Sequence, residues 1–125
     1  MLVNSDLVAF VATADASKAQ AFYQDVLRLP LVEDSPFAIV FDANGIILRV
    51  MKVQAVTLAP YTALGWRVAD IATEMRELGS RGVTFERYPG LPQNDSGVWT
   101  SPDGARIAWF KDPDGNTLSL TQFPG

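Results

Sequence analysis

The chain carries the segment Asp15-Ala-Ser-Lys-Ala-Gln-Ala-Phe-Tyr-Gln-Asp-Val-Leu27 directly after a short apolar stretch, residues 7–13. The apolar side chains of this segment recur at the spacing of one helical face: Ala19, Phe22, Tyr23, Val26 and Leu27. Asp15 stands where a carboxylate accepts hydrogen bonds from the first backbone N–H groups of a helix. We therefore predict a strand over 7–13, followed by a helix that ends before Pro30.

The same order of elements recurs further along the chain. Residues 64–68 read as a strand, Asp70 as a second capping aspartate, and the run from Ile71 as a second helix that Gly82 ends. Further strands are predicted at 31–33, 37–41 and 46–52 in the first half, and at 83–87, 98–100, 105–111 and 116–122 in the second. The sequence thus predicts one domain, 1–125, built of two βαβββ modules, 1–53 and 62–125, joined by a linker, 54–61.

Composition excludes several classes of protein. The chain has 125 residues, of which 48% are hydrophobic and 19% charged, so it suits one folded domain and not a disordered chain. Its formal net charge of −4 disfavours binding to nucleic acid or to an anionic membrane. The chain has no cysteine and no histidine, which excludes disulfides, thiolate zinc and Ser-His-Asp catalysis. No signal peptide or membrane-length apolar run is visible, and we predict a cytoplasmic protein.

Two stretches of this sequence resemble signatures of the vicinal oxygen chelate superfamily, the glyoxalase, bleomycin resistance protein and extradiol dioxygenase group. The first is the helix segment, 15–27, and the second is Asp112-Pro-Asp-Gly-Asn-Thr-Leu-Ser-Leu120, which is similar to the closing strand of that family. The resemblance implies an α+β fold in which two βαβββ modules form a curled mixed sheet cup. It also implies a homodimer and a small-molecule ligand in the cup.

The resemblance further implies where a divalent metal would be bound. The family pattern places one ligand seven residues before each capping aspartate and another four residues after each closing-turn glycine. Those positions hold Val8, Ala63, Arg49 and Ser119. Because transition metals need imidazole, carboxylate or thiolate ligands, we predict a member that lacks the metal ligands and takes no cofactor. Metal-dependent glyoxalase or dioxygenase activity is therefore disfavoured.

The predicted function is binding of a small, aromatic and anionic molecule in a metal-free cup, for sequestration or resistance. Period-two alternation places the ligand-binding candidates on the cup face of their strands, and Trp99 lies after the loop of residues 88–97. The ligand-binding candidates are Arg49, Arg67, Phe10, Met51, Trp99, Ser119 and Thr121. No catalytic residue is assigned.

Other interpretations of these residues stay open. Arg49 and Arg67 could pair with Glu33, Glu86 or another acidic residue, and Trp99 and Trp109 could belong to the core or to a dimer interface. One alternative function is a lyase, isomerase or dioxygenase-type enzyme with an atypical or absent metal. Another is a module whose ligand only stabilises the dimer.

Overall fold

The computed structural model describes residues 1–125, which divide into two compact units, Met1–Leu58 and Ala59–Gly125. Each unit contains one main helical segment and one four-stranded mixed sheet, and the first unit has a short 3₁₀ helix as well. This is the predicted α+β class with two βαβββ modules, and the prediction of the fold class is confirmed. The predicted single domain with a linker over 54–61 stays a prediction.

The first unit forms its elements around one capped helix. Its strands are β1 (Val8–Thr13), β2 (Leu31–Asp34), β3 (Ala38–Ala43) and β4 (Ile46–Lys52), and they lie in the order β1-β4-β3-β2. Strand β1 runs parallel to β4, and the other pairs are antiparallel. A short 3₁₀ helix (Leu2–Asn4) precedes β1, and helix α1 (Ala16–Ala21) continues as a π-helical turn (Phe22–Val26).

Local chemistry sets the bounds of these elements. The Asp15 carboxylate accepts a hydrogen bond from the backbone N–H of Lys18 at 3.2 Å, as an N-cap does. The helical segment ends before Arg28, because its left-handed φ of 63° does not fit a right-handed helix. Tyr23 is fully buried and its ring centroid lies 5.8 Å from that of Phe41, so the helical segment packs on the sheet through this residue.

The second unit repeats this arrangement. Its strands are β5 (Leu64–Arg67), β6 (Trp99–Thr100), β7 (Arg106–Lys111) and β8 (Thr117–Gln122), in the order β5-β8-β7-β6, and its helix is α2 (Ile71–Ser80). Asp70 caps α2 by accepting from the N–H of Thr73 at 3.2 Å. Gly82 has a φ of 95° just after the helix, as the sequence predicted for its stop. No helix of the protein is both long and apolar enough to cross a membrane.

The strand predicted over residues 83–87 is wrong. One backbone hydrogen bond joins this segment to the sheet, from Glu86 N–H to the carbonyl of Trp109 at 2.8 Å. The Gln93 side chain forms hydrogen bonds with nearby backbone groups instead. Its amide nitrogen donates to the Glu86 carbonyl, and its amide oxygen accepts from Tyr88 N–H. Strand β6 pairs with β7 at Arg106 and Ile107, and residues 83–87 form no ladder beside Trp109.

The strand registers show that the two units are built alike. In the first sheet Phe10 lies opposite Arg49, and in the second sheet Gly65 lies opposite Ser119. Phe10 and Gly65 each stand five residues before their capping aspartates, and Arg49 and Ser119 each stand four residues after a turn glycine. The internal repeat therefore extends to the pairing of individual residues.

The core of the second unit lies between α2 and one face of its sheet. Phe110 and Leu118 are fully buried on the sheet, and Ile71, Met75 and Leu78 are buried on α2. Leu118 lies opposite Phe110 in the ladder, and the Phe85 ring packs edge-on against that of Phe110, with ring centroids 5.6 Å apart. Phe110 is thus at the centre of this core.

We expect replacement of Phe110 by alanine to lower the free energy of unfolding by about 3–5 kcal/mol, because it leaves a cavity in a close-packed core. Phe37→Ala is the matched control: the Phe37 side chain is 71% exposed, and its loss should change stability by less than about 0.5 kcal/mol. Urea denaturation followed by circular dichroism measures both. Equal losses in the two variants would contradict this assignment of the core.

Candidate functional site

The first sheet has one packed face and one open face. Leu48 and Val50 of β4 are buried, whereas Ile47, Arg49 and Met51 alternate with them on the other side. Phe10 of β1 lies opposite Arg49 in the parallel ladder and is 57% exposed. The structure therefore brings three predicted site residues together on the open face of the first sheet, namely Phe10, Arg49 and Met51.

The open face of the second sheet carries the other four predicted site residues. One row across the strands runs from Arg67 through Thr121 and Ile107 to Trp99. The next row runs from Gly65 through Ser119 to Trp109. The opposite face carries the buried residues Leu118 and Leu120, which alternate with Ser119 and Thr121 along β8. Alternation in β8 thus places Ser119 and Thr121 on the open face, as the sequence predicts.

Ser119 differs from the rest of this set because it is only 6% exposed. A Cβ atom added to Gly65 would lie 2.8 Å from the Ser119 hydroxyl oxygen, which is closer than real contacts allow. A side chain at position 65 would therefore force the Ser119 hydroxyl to move. The hydroxyl is largely covered, so its contribution to any ligand contact is smaller than that of Thr121 in the same strand.

Neither predicted arginine is neutralised by an acid. The ion pairs of the protein are Lys52–Asp34, at 2.6 Å, and Lys111–Glu86, at 3.9 Å. The structure therefore contradicts the alternative in which Arg49 or Arg67 forms an ion pair with Glu33 or Glu86. Arg67 instead lies over the ring of Phe123, with its guanidinium carbon 5.4 Å from the ring centroid. Both guanidinium groups keep N–H donors that an anion could use.

An aromatic cluster on the second sheet was missed by the sequence reasoning, which named only Trp99 as a ligand-binding candidate and gave Trp109 as a core or dimer-interface residue. The Trp109 ring lies 6.3 Å from Trp99 and 5.5 Å from Tyr88, the latter in an edge-to-face arrangement. Alternation in residues 105–111 places Ile107, Trp109 and Lys111 on the face of Trp99, and this signal could have identified Trp109. The position of Tyr88 depends on the Gln93 hydrogen bonds and has no comparable signal.

A cavity of about 390 Å³ adjoins this cluster within the second unit. None of the seven predicted site residues lines it. Its walls combine aromatic rings with one ammonium group and hydroxyl groups, and they are formed by Ala59, Pro60, Tyr61, Thr62, Tyr88, Trp109, Lys111 and Thr117. The volume lies at the small end of the range for ligand pockets, roughly 300–1,000 Å³.

Electrostatics of this cavity depend on Lys111, Glu86 and Tyr88. Partial burial raises the pKa of the Tyr88 phenol above its usual value, and the nearby Glu86 carboxylate raises it further. The phenol therefore stays neutral and able to donate a hydrogen bond throughout the physiological range. Lys111 is the cationic group of the cavity, and Glu86 accompanies it from 3.9 Å.

Comparison with known proteins gives the family of this fold. The sequence profile of the Glyoxalase/Bleomycin resistance protein/Dioxygenase superfamily matches residues 6–120. The chain therefore belongs to this superfamily, as the two sequence signatures indicated. No curated protein matches the chain.

Solved structures show the same fold at low sequence identity. A member of the superfamily from Sphaerobacter thermophilus DSM 20745 is 23% identical, with a TM-score of 0.75 over 98% of this chain and 99% of that one. TnmS3, an antibiotic binding protein from Streptomyces sp. CB03234, is 21% identical, with a TM-score of 0.70 over 99% of both chains. Lactoylglutathione lyase from Agrobacterium tumefaciens is 17% identical, with a TM-score of 0.72 over 94% and 93%.

The residues at the expected metal positions do not fit a divalent metal. Val8 and Ala63 offer no donor atom, Arg49 brings a positive charge, and the Ser119 hydroxyl is packed beside Gly65. The structure has no group of three or more histidine, cysteine, aspartate or glutamate side chains that could hold a metal ion.

We expect the Tyr88 phenol to titrate above its ordinary pKa of 10.0. Because the raised pKa favours the neutral phenol in the folded state, its contribution to stability is present below pH 10 and is lost as the pH rises through the folded pKa. An NMR titration of ¹³C-tyrosine-labelled protein measures this step. The signal that is lost in Tyr88→Phe belongs to Tyr88, and titration of that signal at or below pH 10 would contradict the expectation.

Proposed function

We propose that the protein binds a small, planar, anionic molecule without a metal ion and acts by sequestering it. The observation that supports this most directly is the state of Arg49. It occupies a position where the family pattern would have a metal ligand, it lies opposite the exposed ring of Phe10, and it makes no ion pair. A fixed positive charge beside apolar surface repels a dication and attracts an organic anion.

The second sheet offers the same combination of groups. Arg67, Thr121 and Trp99 share one row of its open face, and the Trp109 ring lies beside Trp99. A guanidinium group can bind a carboxylate through two parallel N–H donors, while indole rings bury the flat faces of an aromatic body. These side chains support an aromatic acid as the class of ligand.

The family supports this assignment by analogy. TnmS3, whose fold this chain shares, is an antibiotic binding protein, and a binding role of that kind needs no catalytic group. A fold alone does not determine a function, so the residues of the open faces carry the proposal.

The homodimer and the cytoplasmic location remain predictions. Exposed apolar side chains such as Leu7 and Phe10 support the homodimer.

Fluorescence titration with a panel of planar aromatic carboxylates tests the proposal, because Trp99 and Trp109 lie on the open face of the second sheet. We expect at least one acid to quench the fluorescence saturably. Arg67→Gln should then weaken the binding that these tryptophans report, and Arg49→Gln should weaken binding of the acid measured separately by calorimetry. Each loss should be about tenfold or more, since a charge-assisted hydrogen bond contributes about 1.5–3 kcal/mol.

Arg28→Gln is the matched control for these variants, because Arg28 lies in the connection after the helical segment and donates to the Asp25 carbonyl. It should bind the acid like the unmodified protein. Unchanged affinity in both Arg49→Gln and Arg67→Gln would refute the assignment of the two arginines.

The alternative is an enzyme of the same superfamily. The similarity in fold to lactoylglutathione lyase is the observation that favours it. Members that act through a metal need protein ligands for it, and the four expected positions lack them. The metal content of the purified protein therefore separates the two functions.

We expect protein purified without chelator to contain no stoichiometric zinc, nickel, manganese or iron by elemental analysis. Addition of each ion should leave the melting temperature unchanged, because a ligand that binds the folded state alone must raise it. A stoichiometric ion together with a raised melting temperature would favour the enzyme and refute the metal-free binder.

A further inference from the structure

A second cavity lies on the other side of the second sheet, away from the proposed ligand face. It has a volume of about 290 Å³ and is bounded by α2, by β7 and by the turn of residues 94–98. Arg106 lies on the face of the sheet that α2 covers. Its partner in the ladder is Gln122, and the Gln122 side chain accepts a hydrogen bond from the first N–H of α2 at 2.9 Å.

The floor of this cavity is apolar. Met75 and Val98 are both buried, and the Phe85 ring packs on Phe110 in the core beneath. Such a floor contributes to binding in proportion to the apolar ligand surface that it removes from water. A ligand with a short aliphatic body would fill it.

Two arginines line the cavity above this floor. Arg76 projects from α2 and Arg106 from β7, and neither makes an ion pair in the structure. Arg76 donates one hydrogen bond to the Thr73 hydroxyl, at 3.2 Å, which leaves its remaining N–H groups for other acceptors. Arg106 is half-buried, so its charge is screened less by solvent than that of a fully exposed arginine.

The third wall is fixed by its own hydrogen bonds. The Asn94 side-chain oxygen accepts from the N–H groups of Ser96 and Val98, at 3.0 and 2.9 Å. Arg87 donates to the carbonyls of Asn94 and Asp95, at 2.6 and 2.5 Å, and is therefore engaged in holding the turn. A wall that is already ordered loses little conformational entropy when a ligand binds.

We propose that this cavity is a second binding site, for a compact molecule that joins one carboxylate or phosphate group to a short aliphatic body. Arg76 and Arg106 bind the anionic group, and Met75, Phe85 and Val98 contact the aliphatic part. The site is separate from the open faces in position and in chemistry, since it has no exposed aromatic cluster. Its existence does not depend on the proposed function.

NMR titration of ¹⁵N-labelled full-length protein tests this site with three probes: hexanoate, hexyl phosphate and 1-hexanol. We expect hexanoate or hexyl phosphate to shift the backbone amide signals of Met75, Ser96 and Val98 saturably, and the uncharged alcohol to shift them far less. The two anionic probes distinguish a carboxylate from a phosphate ligand. Absence of saturable shifts with both anions, or equal shifts with the alcohol, would refute the site.

Substitutions test the role of the two arginines. The double variant Arg76→Gln, Arg106→Gln should weaken binding of the anionic probe by about tenfold or more, because it removes both charge-assisted donors. Arg76→Gln alone, at an exposed position of α2, should weaken binding by a smaller factor, and it supplies the test if the double variant fails to fold. Unchanged affinity in the folded variants would refute the proposal.

Arg49→Gln is the matched control, because Arg49 lies on the open face of the first sheet. It should leave binding at the second cavity unchanged even where it weakens binding of an aromatic acid. Failure of the proposed function and failure of this second site are therefore distinguishable in one set of proteins.

Discussion

The register of the central strands β4 and β8 is the constraint on which the candidate sites depend. Each strand pairs in parallel with the first strand of its unit and antiparallel with the strand before it. Since side chains alternate between the two faces of a strand, a slip of one residue would exchange Arg49 for a buried aliphatic neighbour such as Leu48. The burial of Leu48 and Val50 in one strand, and of Leu118 and Leu120 in the other, opposes that slip.

Turns before these strands help to fix the same register. Asn44 and Gly45 both have positive φ in the turn before β4, and the Asp42 carboxylate accepts from Gly45 N–H at 2.6 Å. Before β8, the Asp112 carboxylate accepts from the N–H groups of Asp114 and Asn116 and from the Asn116 side chain. Short polar turns therefore determine which residues of the following strands reach the open faces.

Charge gives these faces their chemical character. The protein is acidic overall, with a formal net charge of −4, yet Arg49, Arg67, Arg76 and Arg106 are all free of ion pairs. The acidic side chains serve local structure in several places: Asp15 and Asp70 cap helices, and Asp112 organises a turn. Cations beside apolar or aromatic surface are suited to organic anions, and their positions on two sides of the second sheet allow two different ligands.

The sequence by itself determined the repeat, the capped helices and the faces of the strands, because helix caps, glycine turns and period-two alternation act over a few neighbouring residues. Alternation along the strands predicts that Arg49 and Arg67 lie on open faces. Only the tertiary structure decided the state of residues 83–87, where the Gln93 side chain takes the hydrogen bonds that a strand would need. It likewise decided the positions of Tyr88 beside Trp109 and of Arg76 near Arg106. These arrangements depend on contacts between residues far apart in the chain, which no local pattern specifies.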